Sequence, residues 1–243
     1  MIGIIGYGMV GRAVAYGFSK TSHIISDPAI NTVTIKDVID TDPEAVFVCV
    51  PTPTDDSNYA ILKSVLDEIK SLNYQGLVIV KSTVLPKYLE EYDIVFNPEF
   101  LSRATSLQDF VEPPMLILGG DRAVEAKTLY DKYSTVETEH VFLVDVASAA
   151  LTKYAMNCFY ALKVTYMNSI KDVADSTGAD YQKMTEMLSK HPWMGSHHFQ
   201  VPGPDGARGF GGPCLPKDTE ALVKEYNVEL LGKVLELNEK YRK

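Results

Sequence analysis

The chain has 243 residues, of which 46% are hydrophobic and 23% charged, as is typical of a globular protein with one large or two modest domains. Its formal net charge of −9 argues against a nucleic-acid-binding surface, and no apolar run approaches the roughly 18 residues that a membrane-spanning helix needs. No basic region precedes the first apolar run, and the three cysteines show no pairing pattern. We therefore expect a protein of a reducing compartment, with the cytoplasm as the default.

The first half of the chain alternates short β-rich runs with helix-like segments. The runs, several of them continuously apolar, predict strands at 1–5, 23–26, 45–50, 77–81, 94–96, 115–120 and 141–144. Apolar residues at helical spacing predict helices over 9–20, 58–72 and 121–134. Strand–helix alternation is typical of a parallel sheet covered by helices, so residues 1–144 predict a doubly wound α/β domain.

The pattern changes after Val144. No proline or glycine occurs in 145–177, which predicts one helix of roughly 30 residues with Gly178 as its C-terminal stop. The rest of the chain predicts a helix over 180–190 and then a loop rich in Gly, Pro and His over 191–212. Two more helices are predicted, one from Pro216 and one from about Val228. Residues 145–243 therefore predict an α-helical domain built on the long helix.

A glycine-rich turn, GYGMVG (6–11), follows the first strand and leads into a helix. In this G-x-G-x-x-G pattern Gly6 permits a tight turn, Gly8 lets the backbone approach a diphosphate, and Gly11 lets helix and strand pack closely. The diphosphate would lie on the helix N-terminus. Asp27 ends the second strand, where an acid binds a ribose 2′-hydroxyl and repels a 2′-phosphate. The pattern predicts a Rossmann-type dinucleotide site that takes NAD rather than NADP.

One cysteine stands in GFGGPCLPKDTEAL (209–222), between a glycine-rich loop and a predicted helix start. Pro216 favours the first helical position, so Cys214 would lie near the backbone N–H groups and the positive end of a helix. Both effects stabilise a thiolate and lower the pKa of a cysteine. The residues alone leave two interpretations open, a reactive thiolate or a helix-start loop whose cysteine is merely small. Cys49 and Cys158, in apolar surroundings, are interpreted as core residues.

Six segments together resemble the UDP-glucose/GDP-mannose 6-dehydrogenase family. They occur in the family's order, as GYGMVG (6–11), VPTPTDD (50–56), VKSTVLP (80–86), NPEFL (97–101), LTKYAMNCF (151–159) and GFGGPCLPKD (209–218). The resemblance implies an enzyme that oxidises the C6 hydroxyl of a nucleotide-sugar, foremost UDP-glucose, to a carboxylate with two NAD. Cys214 would be its nucleophile, forming a thiohemiacetal and then a thioester.

The resemblance also implies roles for five other residues. Lys153 and Asn157, at i and i+4 on one helix face, would stabilise a developing oxyanion. Glu99 would be the general base in thioester hydrolysis, with Thr83 and Asp218 holding the water. The resemblance therefore implies that the residues needed for the reactions of Cys214 are all present.

Further contacts follow from the same resemblance. The implied cofactor-binding residues are Gly6, Gly8, Met9, Val10, Gly11, Asp27, Val50, Pro51, Thr52, Pro53, Ser82, Thr83 and Lys217. The implied substrate-binding residues are Phe100, Leu101, Arg103, Lys153, Asn157, Phe210 and Gly211. No metal is implied, and the three histidines of the 191–212 loop lack the carboxylate or thiol neighbours of a metal site.

Three departures from the family pattern concern the substrate. The chain ends at Lys243, where the family continues into a second nucleotide-binding domain, so we expect a shortened form. Arg103 stands where the family has an acid. Trp193 stands about where it has an arginine that serves a neighbouring subunit. The reaction class is therefore better supported than the identity of the sugar.

Two alternatives remain open beside the 6-dehydrogenase. A 3-hydroxyacid-type NAD dehydrogenase would keep the fold and form one NADH, but it gives Cys214 no role. A catalytically silent NAD-binding subunit that needs a partner chain would fit the three departures, although the retained catalytic residues argue against it.

The resemblance also implies a homodimer, because the family's long helices build one. The last predicted helix adds an apolar stripe, which its own domain or another chain must cover. The stripe consists of Leu230, Leu231, Val234, Leu235 and Tyr241.

Overall fold

A computed structural model of the chain describes residues 1–53 and 59–243. They divide into two compact units, Met1–Lys153 and Tyr154–Lys243. The division falls inside the long helix, whereas the sequence predicted a boundary between residues 144 and 145, before that helix. The assignment of cofactor binding to one domain and of the catalytic cysteine loop to the other stays a prediction.

The first unit is built on a seven-stranded sheet. Its strands are β1 (Ile2–Ile5), β2 (His23–Ser26), β3 (Ala45–Val48), β4 (Leu77–Val80), β5 (Val95–Phe96), β6 (Leu116–Gly119) and β7 (Val141–Val144). They lie in the order β2–β1–β3–β4–β5–β6–β7, and each falls within a predicted run. Every residue of β1, β3, β4 and β6 is buried, which explains their continuously apolar sequences. The predicted Rossmann-type sheet is confirmed.

The sheet departs from a wholly parallel arrangement at one pair of strands. β5 and β6 pair antiparallel, with Phe96 opposite Gly119, whereas the other neighbouring strands run parallel. Antiparallel neighbours need no crossover, so the connection over 97–115 does not have to return across the sheet. The segment NPEFL (97–101) directly follows β5, so it begins at the carboxyl end of that strand, on the edge where ligands bind in such sheets.

Helices cover this sheet. The α-helices that lie wholly within the described part of the first unit are α1 (Met9–Gly17), α2 (Ile35–Asp40), α3 (Ala60–Ser71), α4 (Ser106–Val111) and α5 (Ala123–Tyr133). α1, α3 and α5 were predicted, whereas α2 and α4 were not. Both have six residues, too few for a helical period to appear in the sequence.

The second unit is α-helical, as predicted. The long helix α6 (Val146–Thr177) begins in the first unit and continues into the second, and Gly178 ends it with a φ of +73°. It is followed by α7 (Tyr181–Ser189), α8 (Leu215–Tyr226) and α9 (Glu229–Arg242). In α9, Leu231 and Val234 are buried in this unit, so the unit itself covers part of the apolar stripe, while Leu230 is exposed. None of the helices in the described residues has the length and apolar character that crossing a bilayer requires.

Candidate active site

The glycine-rich turn joins β1 to α1 and depends on its first and third glycines. Gly6 has a φ of +87°, and a Cβ there would lie 2.8 Å from the carbonyl oxygen of Cys49. A Cβ on Gly11 would lie 2.1 Å from the carbonyl oxygen of Gly6. Gly8 is the N-cap of α1, and a Cβ there would meet nothing within 4 Å. The first turn of α1 is therefore open on the side where a diphosphate would bind.

Asp27 lies directly after β2 and holds the glycine turn. Its Oδ2 accepts a hydrogen bond from the backbone N–H of Tyr7 at 2.6 Å, and its Oδ1 accepts one from Ala29 at 2.8 Å. These bonds, that from Tyr7 foremost, lower the pKa of Asp27 because they favour the carboxylate. Each oxygen keeps a second lone pair, so the predicted contact with a ribose hydroxyl is compatible with both bonds.

Hydrogen bonds join the two loops that the sequence assigned to further cofactor contacts. Thr52 Oγ1 donates to the carbonyl oxygen of Thr83 at 3.0 Å, and Ser82 Oγ donates to that of Val50 at 2.6 Å. Both hydroxyl-bearing side chains are buried, so they hold the loops after β3 and β4 together. The motif VPTPTDD lies outside the described residues from Thr54 onward. The other predicted cofactor residues of this unit are exposed or partly buried, namely Met9, Val10, Pro51 and Pro53.

Glu99 and Lys153 form a nearly buried ion pair in the first unit. Lys153 Nζ lies 3.1 Å from Glu99 Oε1 and donates to the Glu99 carbonyl oxygen at 2.6 Å. The second carboxylate oxygen accepts a hydrogen bond from the backbone N–H of Leu101 at 2.8 Å. The ring centre of Phe100 is 5.4 Å from the same ammonium, and the side chain of Arg103 is exposed. The structure therefore brings the predicted base and the predicted oxyanion donor into direct contact.

In the second unit Cys214 lies at a helix start, as predicted. α8 begins at Leu215, one residue before the predicted start at Pro216, and Cys214 is its N-cap. Of the three cysteines, all of which the structure describes, Cys214 alone is exposed. Burial raises the pKa of the Cys49 thiol to about 12 and that of Cys158 to about 11. Cys214 therefore has both the exposure and the helix-terminal position that favour a reactive thiolate.

Asp218 follows one helical turn after the cysteine, and both of its carboxylate oxygens are occupied. Asn157 Nδ2 donates to Oδ2 at 2.5 Å, and Lys217 Nζ donates to Oδ1 at 2.5 Å. The carboxylate is only 1% exposed, and a buried charge of this kind is stable only with its partners in place. Asn157, a predicted oxyanion donor, and Lys217, a predicted cofactor ligand, are thus partners of Asp218.

The loop before the cysteine is held by a residue that the sequence did not point out. Asn238 of α9 accepts a hydrogen bond from the backbone N–H of Phe210 at 2.7 Å and donates one to its carbonyl oxygen at 3.0 Å. Phe210 is buried, and Gly211 follows it, so these predicted substrate residues belong to a fixed loop. The overlooked signal was the spacing, because Asn238 lies at i+7 from Leu231 and i+4 from Val234, on the core-facing side of α9.

Two models of one protein family match the chain. The model of the NAD binding domain of the UDP-glucose/GDP-mannose dehydrogenase family matches residues 32–137, and the model of its central domain matches residues 147–240. The chain belongs to the UDP-glucose/GDP-mannose dehydrogenase family. This match confirms NAD as the predicted cofactor.

Individual members of the family agree with this assignment. The UDP-glucose 6-dehydrogenase of Rickettsia typhi is 31% identical over 217 residues, which are 80% of this chain and 49% of that protein. A GDP-mannose 6-dehydrogenase of Pseudomonas syringae is 29% identical over 202 residues, 73% of this chain and 45% of that protein. The structure of a UDP-glucose dehydrogenase from Pyrobaculum islandicum shares the fold, with a TM-score of 0.84 and 23% identity over 98% of this chain and 68% of that one. The chain described here spans about half the length of the two sequence relatives named above.

Proposed function

We propose that this chain carries the cofactor-binding and catalytic residues of an NAD-dependent nucleotide-sugar 6-dehydrogenase that oxidises UDP-glucose to UDP-glucuronate. The observation that carries the proposal is the exposed thiol of Cys214 at the N-cap of α8. A dehydrogenase that stops at an aldehyde or ketone needs no thiol, whereas oxidation of an alcohol to an acid gains a covalent route through one. A reducing compartment would keep this thiol reduced, which fits the cytoplasm expected from the composition.

The proposed reaction has four steps. NAD, which the glycine turn and Asp27 would hold, would supply a hydride acceptor for C6, so that the alcohol loses a hydride and a proton to become the aldehyde. The Cys214 thiolate would then add to the aldehyde carbon, whose oxygen takes up a proton, to form a thiohemiacetal. With a second NAD as acceptor, the thiohemiacetal would lose a second hydride from the same carbon and a proton from its hydroxyl to become a thioester. Water would then attack the thioester carbonyl and the carbon–sulfur bond would break, which releases the sugar carboxylate and regenerates the Cys214 thiol. Each turnover therefore forms two NADH.

The hydrogen bonds within each unit support the roles given to the other residues. An ammonium has three N–H donors, and Lys153 donates one to the Glu99 carbonyl oxygen and is ion-paired with the Glu99 carboxylate, which leaves at least one for a developing oxyanion. Asn157 likewise has a second amide hydrogen beyond the one that it donates to Asp218. The carboxylate of Glu99 keeps free lone pairs and would take a proton from the attacking water. The water-holding roles that the resemblance implies for Thr83 and Asp218 stay predictions.

The choice of sugar rests on the relatives. Those named above act, by their names, on UDP-glucose and on GDP-mannose. We assign UDP-glucose because it is named for the relative with the higher identity. Arg103 and Trp193, both exposed, are the residues at which this chain departs from the pattern that the resemblance implies.

The stoichiometry of NADH tests the proposal directly. The purified chain is given NAD and UDP-glucose, with GDP-mannose and UDP-N-acetylglucosamine in parallel, and NADH is counted per sugar consumed. We expect two NADH per UDP-glucose, because both hydrides come from the same carbon. One NADH per sugar would contradict the covalent second step and favour a 3-hydroxyacid-type reaction. Bound NAD without NADH from any sugar would favour a silent subunit.

We also propose that the protein is a homodimer. The supporting feature is a row on α6 that consists of Phe159, Tyr166 and Val173, whose side chains are 59%, 54% and 56% exposed. They recur every seventh residue, the spacing of a seam between packed helices. A second copy of the same helix would cover this row on both chains at once, as twofold-symmetric interfaces do.

Charges in this row are expected to separate the dimer. In Phe159→Glu/Tyr166→Glu the apolar seam would contain four buried carboxylates per dimer, whose desolvation opposes association. Sedimentation velocity at micromolar concentration is expected to show a dimer for the wild type and a monomer for the double variant. The control is Val124→Glu on α5, an apolar residue that is 66% exposed and should leave the dimer intact. A monomeric wild type would contradict the proposal.

A further inference from the structure

Lys81 is a buried lysine to which none of the roles above assigns a task. Lys81 directly follows β4 and is only 3% exposed. Its Nζ donates to Oδ1 of Asn97 at 2.7 Å and lies 3.4 Å from the Asn97 carbonyl oxygen. The ring centre of Phe110 is 5.1 Å from the same ammonium. The ammonium is therefore held by neutral oxygens and an aromatic face in the interior of the first unit.

This burial is unfavourable for a charged side chain. It lowers the pKa of Lys81 to about 8, because an ammonium loses hydration in the interior. The side chain is still mainly protonated at pH 7, and an apolar side chain of similar length would fill the same space without the loss of hydration. Stability alone therefore does not account for a lysine at this position.

The atoms that Lys81 holds lead to the proposed base. Asn97 Oδ1 also accepts a hydrogen bond from Tyr130 Oη at 2.6 Å, and Asn97 Nδ2 donates to the carbonyl oxygen of Ile117 at 2.8 Å. The backbone N–H of Asn97 donates to Val80 at 2.8 Å. Asn97 is thus fixed from several sides. Only Pro98, whose ring fixes its own φ, separates it from Glu99.

We propose that Lys81 is a positioning residue, which through Asn97 and Pro98 holds the Glu99 carboxylate against Lys153 and the backbone N–H of Leu101. The inference rests on the proposed function only in that Glu99 is assigned the base of thioester hydrolysis. Burial is the main cause of the lowered pKa of Lys81; among its charged neighbours Cys49 and then Glu99 raise this pKa and Lys153 lowers it, so the ion pair lies close enough to interact with the Lys81 ammonium.

The experiment compares Lys81→Met, which keeps the length of the side chain without its charge, with Tyr130→Phe. The second variant removes the neutral donor to the same Asn97 oxygen and leaves the ammonium in place. The first readout needs no activity. It is the hydrogen exchange of the Leu101 amide in protein labelled with ¹⁵N-leucine, because this amide is bonded to the Glu99 carboxylate. Its cross-peak is assigned by its loss in Leu101→Met.

We expect exchange of the Leu101 amide to rise at least tenfold in Lys81→Met and less than threefold in Tyr130→Phe, because hydrogen bonds from charged donors are the stronger ones. The other leucine amides should be unchanged. The kcat for acid formation should fall at least tenfold in Lys81→Met while the KM for NAD stays within twofold. The midpoint of urea unfolding at pH 7 should not fall, because the buried charge is gone.

The pH dependence of stability checks the premise. Since the pKa of Lys81 is lowered from 10.5 to about 8 in the folded protein, the unfolded chain binds more protons between these values. Wild-type stability therefore gains from this residue as the pH rises from about 8 to 10.5, and Lys81→Met lacks this gain. The ionisable neighbours Cys49, Glu99, Lys153 and Tyr130 are present in both proteins, so the difference reports Lys81.

Two results would overturn the inference. Unchanged exchange of the Leu101 amide in Lys81→Met would mean that Lys81 does not hold Glu99. A lower unfolding midpoint with faster exchange at all leucines would mean that Lys81 has a structural role only. If the wild type forms no NADH with any sugar, the proposed function fails, and the exchange experiment still decides the role of Lys81.

Discussion

Cys214→Ser is expected to reduce net formation of the sugar acid by about 10³-fold or more while NAD binding stays within twofold. A serine hydroxyl at neutral pH is a far weaker nucleophile than a thiolate, even at the N-cap of α8, so no thioester would form. NAD binding should persist because the glycine turn and Asp27 belong to the other unit and do not change. The measurements are anion-exchange chromatography of the acid and titration of NAD by fluorescence.

Cys158→Ala is the matched control for this substitution. Cys158 is buried, and burial raises the pKa of its thiol to about 11, so it is a poor nucleophile near neutral pH. Its replacement should leave acid formation within a few-fold of the wild type. Iodoacetamide should likewise alkylate the wild type at Cys214 first, and this single modification should stop acid formation. Full acid production by Cys214→Ser would contradict the covalent mechanism.

The strands and the long helix could be predicted because their signals are local. Strands buried on both faces must be apolar at each position, as AVFV in β3 and LVIV in β4 are. The absence of proline and glycine in residues 145–177 marked α6 from end to end. The glycine turn could be predicted as well. At Gly6 and Gly11 nearby backbone atoms leave no room for a side chain, so the fold itself requires the glycines of the motif.

The partners of the site residues could not be predicted in the same way. Asn238 and Phe210 are 28 residues apart in the chain, and Lys81 and Asn97 are 16 apart, so their hydrogen bonds depend on how the elements pack. Family resemblance assigned Lys217 to the cofactor from its motif, but the ion pair with its neighbour Asp218 depends on the burial of that carboxylate. The antiparallel β5–β6 pair was hidden for a related reason, because a strand's sequence does not state its direction.

Glu99→Gln is expected to slow hydrolysis of the thioester by about 10²- to 10⁴-fold, the usual contribution of a general base. Glutamine is nearly isosteric, but its amide has one oxygen where the carboxylate uses two, for Lys153 and for the N–H of Leu101. It also takes no proton from water. The two hydride transfers precede this step, so a burst of two NADH per Cys214 should be followed by slow turnover.

The intermediate itself can then be trapped, which separates this assignment from a general loss of activity. Intact-protein mass spectrometry of Glu99→Gln quenched in acid after the burst should show the nucleotide-sugar acyl group on Cys214, and hydroxylamine should release it as a hydroxamate. Glu68→Gln, at an exposed position of α3, is the control and should show neither burst nor adduct. Wild-type turnover in Glu99→Gln would remove Glu99 from the role of base. Slow turnover without an acyl adduct would mean that the defect precedes formation of the thioester. Lys153 would then be the residue to examine, because Glu99→Gln removes its carboxylate partner.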